Sequence, residues 1–232
     1  MKYPQDYPRR VLLTVAGSTP AIVTETLYAL TQTAEQPFIP TEIHIITTKG
    51  VYQHLKESLL GKKGKIKQLC EDYDIPAIHF NEDCIHPIVD QQSVALDDIT
   101  SDQDNQITAD FITRKVRELT ADEDTSLHVS IAGGRKTMTY YLGYAMSVFG
   151  RIQDTMSHVL VKDTYCAKDF YYPPPKPLQL KNYQGECFDA SQVEVMLASL
   201  PYVRLRDGLT DDFLNDKTKS YSEIIEIHNF KF

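Results

Sequence analysis

The chain has 232 residues, 42% of them hydrophobic and 24% charged, with a formal net charge of -8, enough to bury a sizeable core in one domain or in one domain with a small appendage. The acidic balance argues against a binder of long nucleic acid, because non-specific binding needs a broad basic face that neutralises many phosphates. A small anionic ligand needs only a few well-placed donors and stays compatible with an acidic surface.

Membrane and disulfide classes are excluded in the same way. No apolar run approaches the roughly 18 residues of a membrane span, and the start, MKYPQDYPRR, lacks the apolar core and cleavage pattern of a signal peptide. No membrane partner is expected, and the cytoplasm is the expected compartment. The four cysteines, Cys70, Cys84, Cys166 and Cys187, are widely spaced with no CxxC pair, so they read as reduced, mostly buried thiols that hold neither disulfide nor metal.

Along the chain, RVLLTVA (10–16) is a continuous apolar run of the kind shown by a strand buried on both faces. Thr19 as N-cap and Pro20 at a first helical position open a helix directly after it, TPAIVTETLYALTQT. EIHIITT (42–48) is a second strand, and residues 51–73 form two helices broken near Gly61 and Gly64. AIHF (77–80) is the third strand, followed by a long polar loop over the ligand face at 81–106. Ile107 to Leu119 is helical, with Ile112, Val116 and Leu119 on one face and Asp110 placed to pair with Arg114.

SLHVSIA (126–132) and SHVLVK (157–162) are the fourth and fifth strands. The helix between them buries Met138, Tyr141, Leu142, Ala145 and Phe149, while Tyr140, Tyr144 and Val148 on another side call for a second covering surface, expected to be another subunit. FYYPPPKP (170–177) predicts an edge strand and a turn, since proline removes a ladder donor. Strands alternating with helices imply an α/β domain with a mostly parallel, doubly wound, Rossmann-like sheet over 1–165, and residues 166–232 a small C-terminal α+β extension packing on or near the ligand face.

In such sheets ligands sit beyond the carboxyl ends of the strands, where AGSTPA follows the first strand and AGGRKT the fourth. Arg135 and Lys136 stand at a helix N-terminus, the wrong end of the helix dipole for cations. A phosphate placed there would be held by both cations, by the amides of the first turn, and by a backbone that Gly133 and Gly134 let approach closely. The competing reading leaves both cations in solvent. Ser18 likewise reads either as a capping hydroxyl or as one facing Lys136, and Asp104 and Asn105 as ligand contacts or loop caps. The P-loop spacing fails at Ser130 and Arg135, and neither G-x-G-x-x-G nor G-x-S-x-G occurs. GKKGKIK (61–67) reads as a solvated helix break, the Arg151–His158 spacing of some helical RNases as coincidence, and Tyr171 and Tyr172 as edge-strand aromatics.

AGSTPAIVTETLYAL and LHVSIAGGRKTMTYYLGYAMSVFGR, with DN at 104–105, SHVLV at 157–161, FYYPPP at 170–175 and LRDGL at 205–209, resemble the CRISPR-associated ring nucleases of the NE0113 type, which carry a CARF domain. The resemblance implies a Rossmann-like CARF homodimer that binds a cyclic oligoadenylate, the tetra-adenylate above all, across its two-fold axis. It further implies metal-independent cleavage by 2′-hydroxyl attack, with no cofactor, to linear products ending in a 2′,3′-cyclic phosphate, which switches off type III CRISPR signalling. The family's serine after the first strand and lysine after the fourth match Ser18 and Lys136, the implied catalytic pair. Gly17, Thr19, Thr48, Asn105, Gly133, Gly134, Arg135 and Thr137 are the implied ligand-binding set, and either Ser18 or Thr19 offers the hydroxyl to phosphate. The alternative is a non-catalytic CARF sensor acting through a partner protein. A nucleotide-dependent oxidoreductase on the same fold lacks its glycine fingerprint.

Overall fold

The computed structural model describes residues 2–165, 167–216 and 219–229. Chain order runs β1 (Arg9–Val15), α1 (Ala21–Tyr28, prolonged by a π turn at Ala29–Thr33), β2 (Glu42–Thr47), α2 (Lys49–Leu59), α3 (Lys65–Asp72), β3 (Ile85–Pro87), α4 (Asp102–Leu119), β4 (Thr125–Ser130), α5 (Lys136–Phe149) and β5 (Thr155–Val161). The remainder adds β6 (Gln179–Lys181), β7 (Cys187–Asp189), β8 (Val195–Ser199), α6 (Asp211–Asn215) and α7 (Tyr221–Asn229).

The main sheet has the order β3-β2-β1-β4-β5-β8, parallel throughout except for β8, which runs antiparallel to β5. This is the doubly wound, Rossmann-like topology expected. Successive side chains on a strand point to opposite faces. Val11, Leu13 and Val15 therefore join Ile112, Val116 and Leu142 on the α4–α5 side, while Leu12, Ile43 and Ile45 meet Val23, Leu27, Leu55 and Leu69 on the α1–α3 side. Burial of each such side chain stabilises by about 1.5–3 kcal/mol. Strand order reverses between β1 and β4, so the turns that follow them open side by side.

Several expectations are corrected. The third strand is Ile85–Pro87; 77–80 makes only a single bridge, His79 with Glu42. Ala77 and His79 are exposed whereas Ile85 and Ile88 are buried, and Pro87 is tolerated because β3 is an edge strand. The 81–106 stretch is accordingly not one loop. It also contains the first turn of α4, because Ser101 and Asp104 form a reciprocal capping box: Asp104 N–H donates to Ser101 Oγ at 3.1 Å, and Ser101 N–H to Asp104 Oδ2 at 2.9 Å. Asp110 accepts the Tyr221 amide at 2.7 Å instead of pairing with Arg114, which sits over the Phe111 ring.

Part of the second face of α5 is met within the same chain: the Tyr221 ring, at the start of α7, meets Tyr141 and Tyr144 edge-on at 5.2 and 5.1 Å. Tyr140 stays 61% exposed and Val148 lies in the core. Residues 170–177 form no strand. They strap α1 and α3, with Tyr172 buried and its hydroxyl on Asp72, Tyr73 donating to the Pro173 carbonyl at 2.6 Å and Thr24 to that of Tyr171 at 2.7 Å. The strand contributed from beyond residue 165 to the main sheet is β8. Of the cysteines, Cys84 is buried, Cys70 half-buried and Cys187 exposed, so burial is less general than expected; Cys166 lies outside the described residues. Among the described residues no helix is long and apolar enough to cross a membrane.

Candidate functional site

Two turns meet at the switch point. The Gly17 and Gly134 backbones pack so closely that a Cβ on Gly17 would lie 3.6 Å from Gly134 Cα. On Gly133 a Cβ would come within 2.5 Å of the Val15 carbonyl oxygen, and Gly134 has φ +77°, the left-handed region that favours glycine. The two glycines are thus required by the approach of one turn to the other, a constraint stronger than the approach to a ligand anticipated from the sequence.

The convergence opens a cleft of about 980 Å³. Its lining includes Gly17, Ser18, Thr19, Thr48, Asn105, Gly133, Gly134, Arg135, Lys136 and Thr137, so all ten residues singled out in the sequence come together around one space. Asp104 does not line it, being held in the α4 cap. Ile22, Gly50, Val51, Asp97, Asp98, Ile99 and Met138 line it as well and were not anticipated. The acid pair in VALDDIT, opposite two cations at an unfavourable helix end, was the signal available for Asp97 and Asp98.

The polar groups of the cleft divide by commitment. Ser18, Thr19 and Lys136 are exposed, and among the described residues their side chains make no hydrogen bond or ion pair. Thr19 does not cap α1 with its hydroxyl; only its carbonyl is used, by the Ile22 amide at 3.4 Å. The Lys136 and Thr137 amides open α5 with no helical carbonyl before them to bond, and both residues line the cleft. At α2 the matching donors are taken: the Lys49 amide bonds the Leu96 carbonyl at 2.8 Å and the Gly50 amide that of Asp97 at 3.1 Å. Thr48 lines the cleft, yet its helix N-terminus is closed to an anion.

Arg135 is also committed. Its Nε donates to Asp98 Oδ1 at 2.8 Å and its Nη2 to Asp98 Oδ2. Hydrogen bonding to Arg135 lowers the Asp98 pKa below the usual carboxylate range, and the same contact raises that of Arg135. Asn105 donates to the Ser101 carbonyl at 3.0 Å, while its Oδ1 is buried without a partner among the described residues. A cationic and amide-lined end, with free hydroxyls facing it, can hold phosphate.

The Arg151–His158 pair does not form a site. Arg151 is buried, its guanidinium donating two hydrogen bonds to the Asp154 carboxylate, and His158 lies on β5.

Residues 19–230 match the family described as CRISPR-associated protein NE0113. No curated relative matches the chain. Among solved structures, Enterococcus italicus Csm6 bound to cyclic hexa-2′-fluoro-hexa-dAMP aligns at a TM-score of 0.39 and 14% identity over 66% of this chain. The chain spans about a third of that protein, 33% of its length.

Proposed function

The chain belongs to the CRISPR-associated NE0113 family, and from that premise we propose that it is a ring nuclease, binding a cyclic oligoadenylate and cleaving it without metal. The observation that supports this reading is the meeting of the β1 and β4 turns, which puts uncommitted Ser18 and Lys136 on the same 980 Å³ cleft. Gly134, Arg135 and Thr137 belong to the same seat, with Gly17, Thr19, Thr48, Asn105 and Gly133 shaping its walls.

An RNA-like phosphodiester carries its own nucleophile. The 2′-oxygen attacks the adjacent phosphorus, the bond to the 5′-oxygen breaks, the 2′-hydroxyl proton passes to solvent and the leaving oxygen takes a proton from solvent. A linear oligoadenylate with a 2′,3′-cyclic phosphate and a 5′-hydroxyl remains. Ser18 and the first α5 amides hold the phosphate in line, and the Lys136 ammonium offsets the negative charge that builds on the phosphorane. Before a ligand binds, both carboxylates of the cleft face cations, Asp97 at 3.4 Å from Lys49 Nζ and Asp98 with Arg135, so neither is set up in advance as a general base. Turnover is therefore slow, which suits a signalling timer.

A ring with two-fold symmetry is matched by two copies of the chain presenting the same half-site, so the active form is a homodimer. Incubation with labelled cyclic tetra-adenylate in EDTA tests the proposal: a linear product with a 2′,3′-cyclic end is expected. Tight binding with an intact ring would replace the enzyme by the sensor reading, which the engaged carboxylates also favour. Binding of no ring size would defeat both.

A further inference from the structure

Arg135 belongs to the proposed seat, yet its edge is already occupied by Asp98, a carboxylate to which the cleavage steps above give no role. The 96–99 stretch that carries Asp98 is pinned to both walls of the cleft, to α2 through the Leu96 and Asp97 carbonyls and to α5 through Arg135. Asp98 Oδ1 also accepts the Ile99 amide at 2.7 Å, which orients the carboxylate. The guanidinium edge it occupies, Nε with Nη2, is an edge that arginine offers to a phosphate in a two-pronged contact. One edge cannot serve both anions. Lys136, the next residue along, has no such occupant among the described residues.

We propose that Asp98 is a built-in competitor for the phosphate seat: its carboxylate holds Arg135 until a ligand phosphate displaces it, and the displacement frees the 96–99 rim from α5. The proposal rests on the reading of the cleft as a phosphate site and adds to it a threshold set by the protein itself. Both side chains are about half exposed, at 57% and 43%. Such a pair shifts ligand affinity by about fivefold, not by orders of magnitude.

The test compares the full chain with Asp98→Ala and Asp98→Asn, measuring apparent Kd by titration with inorganic phosphate and, separately, with cyclic tetra-adenylate. Asp83→Asn removes the same single charge from the opposite end of the sheet and serves as the control for net charge. Tightening of both ligands by about fivefold in the two Asp98 variants, with the control unchanged, is expected. Phosphate affinity that is unchanged, weakened or undetectable in the Asp98 variants overturns the competitor. Tighter phosphate binding with no binding of the ring by any form leaves the competitor standing and defeats the ring as ligand, so the two failures are separable.

Discussion

Two cationic sites lie at opposite ends of β4, and they use their charge in opposite ways. Beyond the amino end, Arg151 is buried and saturated: its guanidinium bonds Asp154 at 2.8 and 2.9 Å and the carbonyls of Asp122 and Thr125, while Asp154 also accepts the Leu127 and Arg151 amides. Beyond the carboxyl end, Lys136 is exposed and has no partner among the described residues. A charge removed from water must have its donors satisfied or the fold suffers, whereas a charge left at a rim costs little and stays available. Arg151 therefore serves stability and Lys136 is left available for the binding role proposed above, and Arg135, half exposed and held by Asp98, stands between them.

The comparison breaks most readily at the buried end. Arg151→Ala leaves Asp154 buried and unpaired, and a loss of about 3–5 kcal/mol in unfolding free energy is expected from denaturant titration. Lys136→Ala should leave that free energy within about 0.5 kcal/mol of the parent.

Glu25 probes the same rule on α1. It is buried with no carboxyl partner among the described residues, and burial pushes its pKa up to about 7 from 4.5. A carboxyl whose folded pKa is raised binds more protons folded than unfolded, so stability falls as pH rises from about 4.5 to about 7 and then levels. Glu25→Gln should remove that slope, raising stability by about 3 kcal/mol at pH 8 and by little at pH 4. Thermal unfolding at the two pH values checks it, and a parallel offset at both would contradict it.

At the open end the effects fall on rate. Lys136→Ala should slow cleavage of cyclic tetra-adenylate by about 100-fold or more and weaken its binding, as loss of a charge that meets the phosphorane requires. Ser18→Ala should slow cleavage by about tenfold with a smaller effect on binding, since it orients the phosphate without charge. Single-turnover assays alongside titrations separate the two contributions. A larger effect at Thr19→Ala than at Ser18→Ala would reassign the hydroxyl.

Much of the fold was legible because burial on both faces writes itself as a continuous apolar run, as in RVLLTVA and EIHIITT. β3 was not, because three residues containing a proline carry no such run, and neither was the first turn of α4, whose capping box of Ser101 and Asp104 lies in a polar stretch read as loop. The meeting of Tyr144 with Tyr221 of α7 was not legible for a related reason. An apolar second face shows that something covers it but not what, and Tyr221 stands 77 residues after Tyr144 in the chain.

The amino-acid sequence by itself determined the parallel strands β1, β2, β4 and β5, the glycines between the turns and the chemistry of the residues around the cleft, since these follow from local pattern and side-chain type. Tertiary structure alone decided which cation is free. Arg135 and Lys136 are neighbours of like charge, and only the return of a loop 37 residues away places a carboxylate on one of them. Charge pairing acts through space over a few ångströms, and chain order records none of those distances.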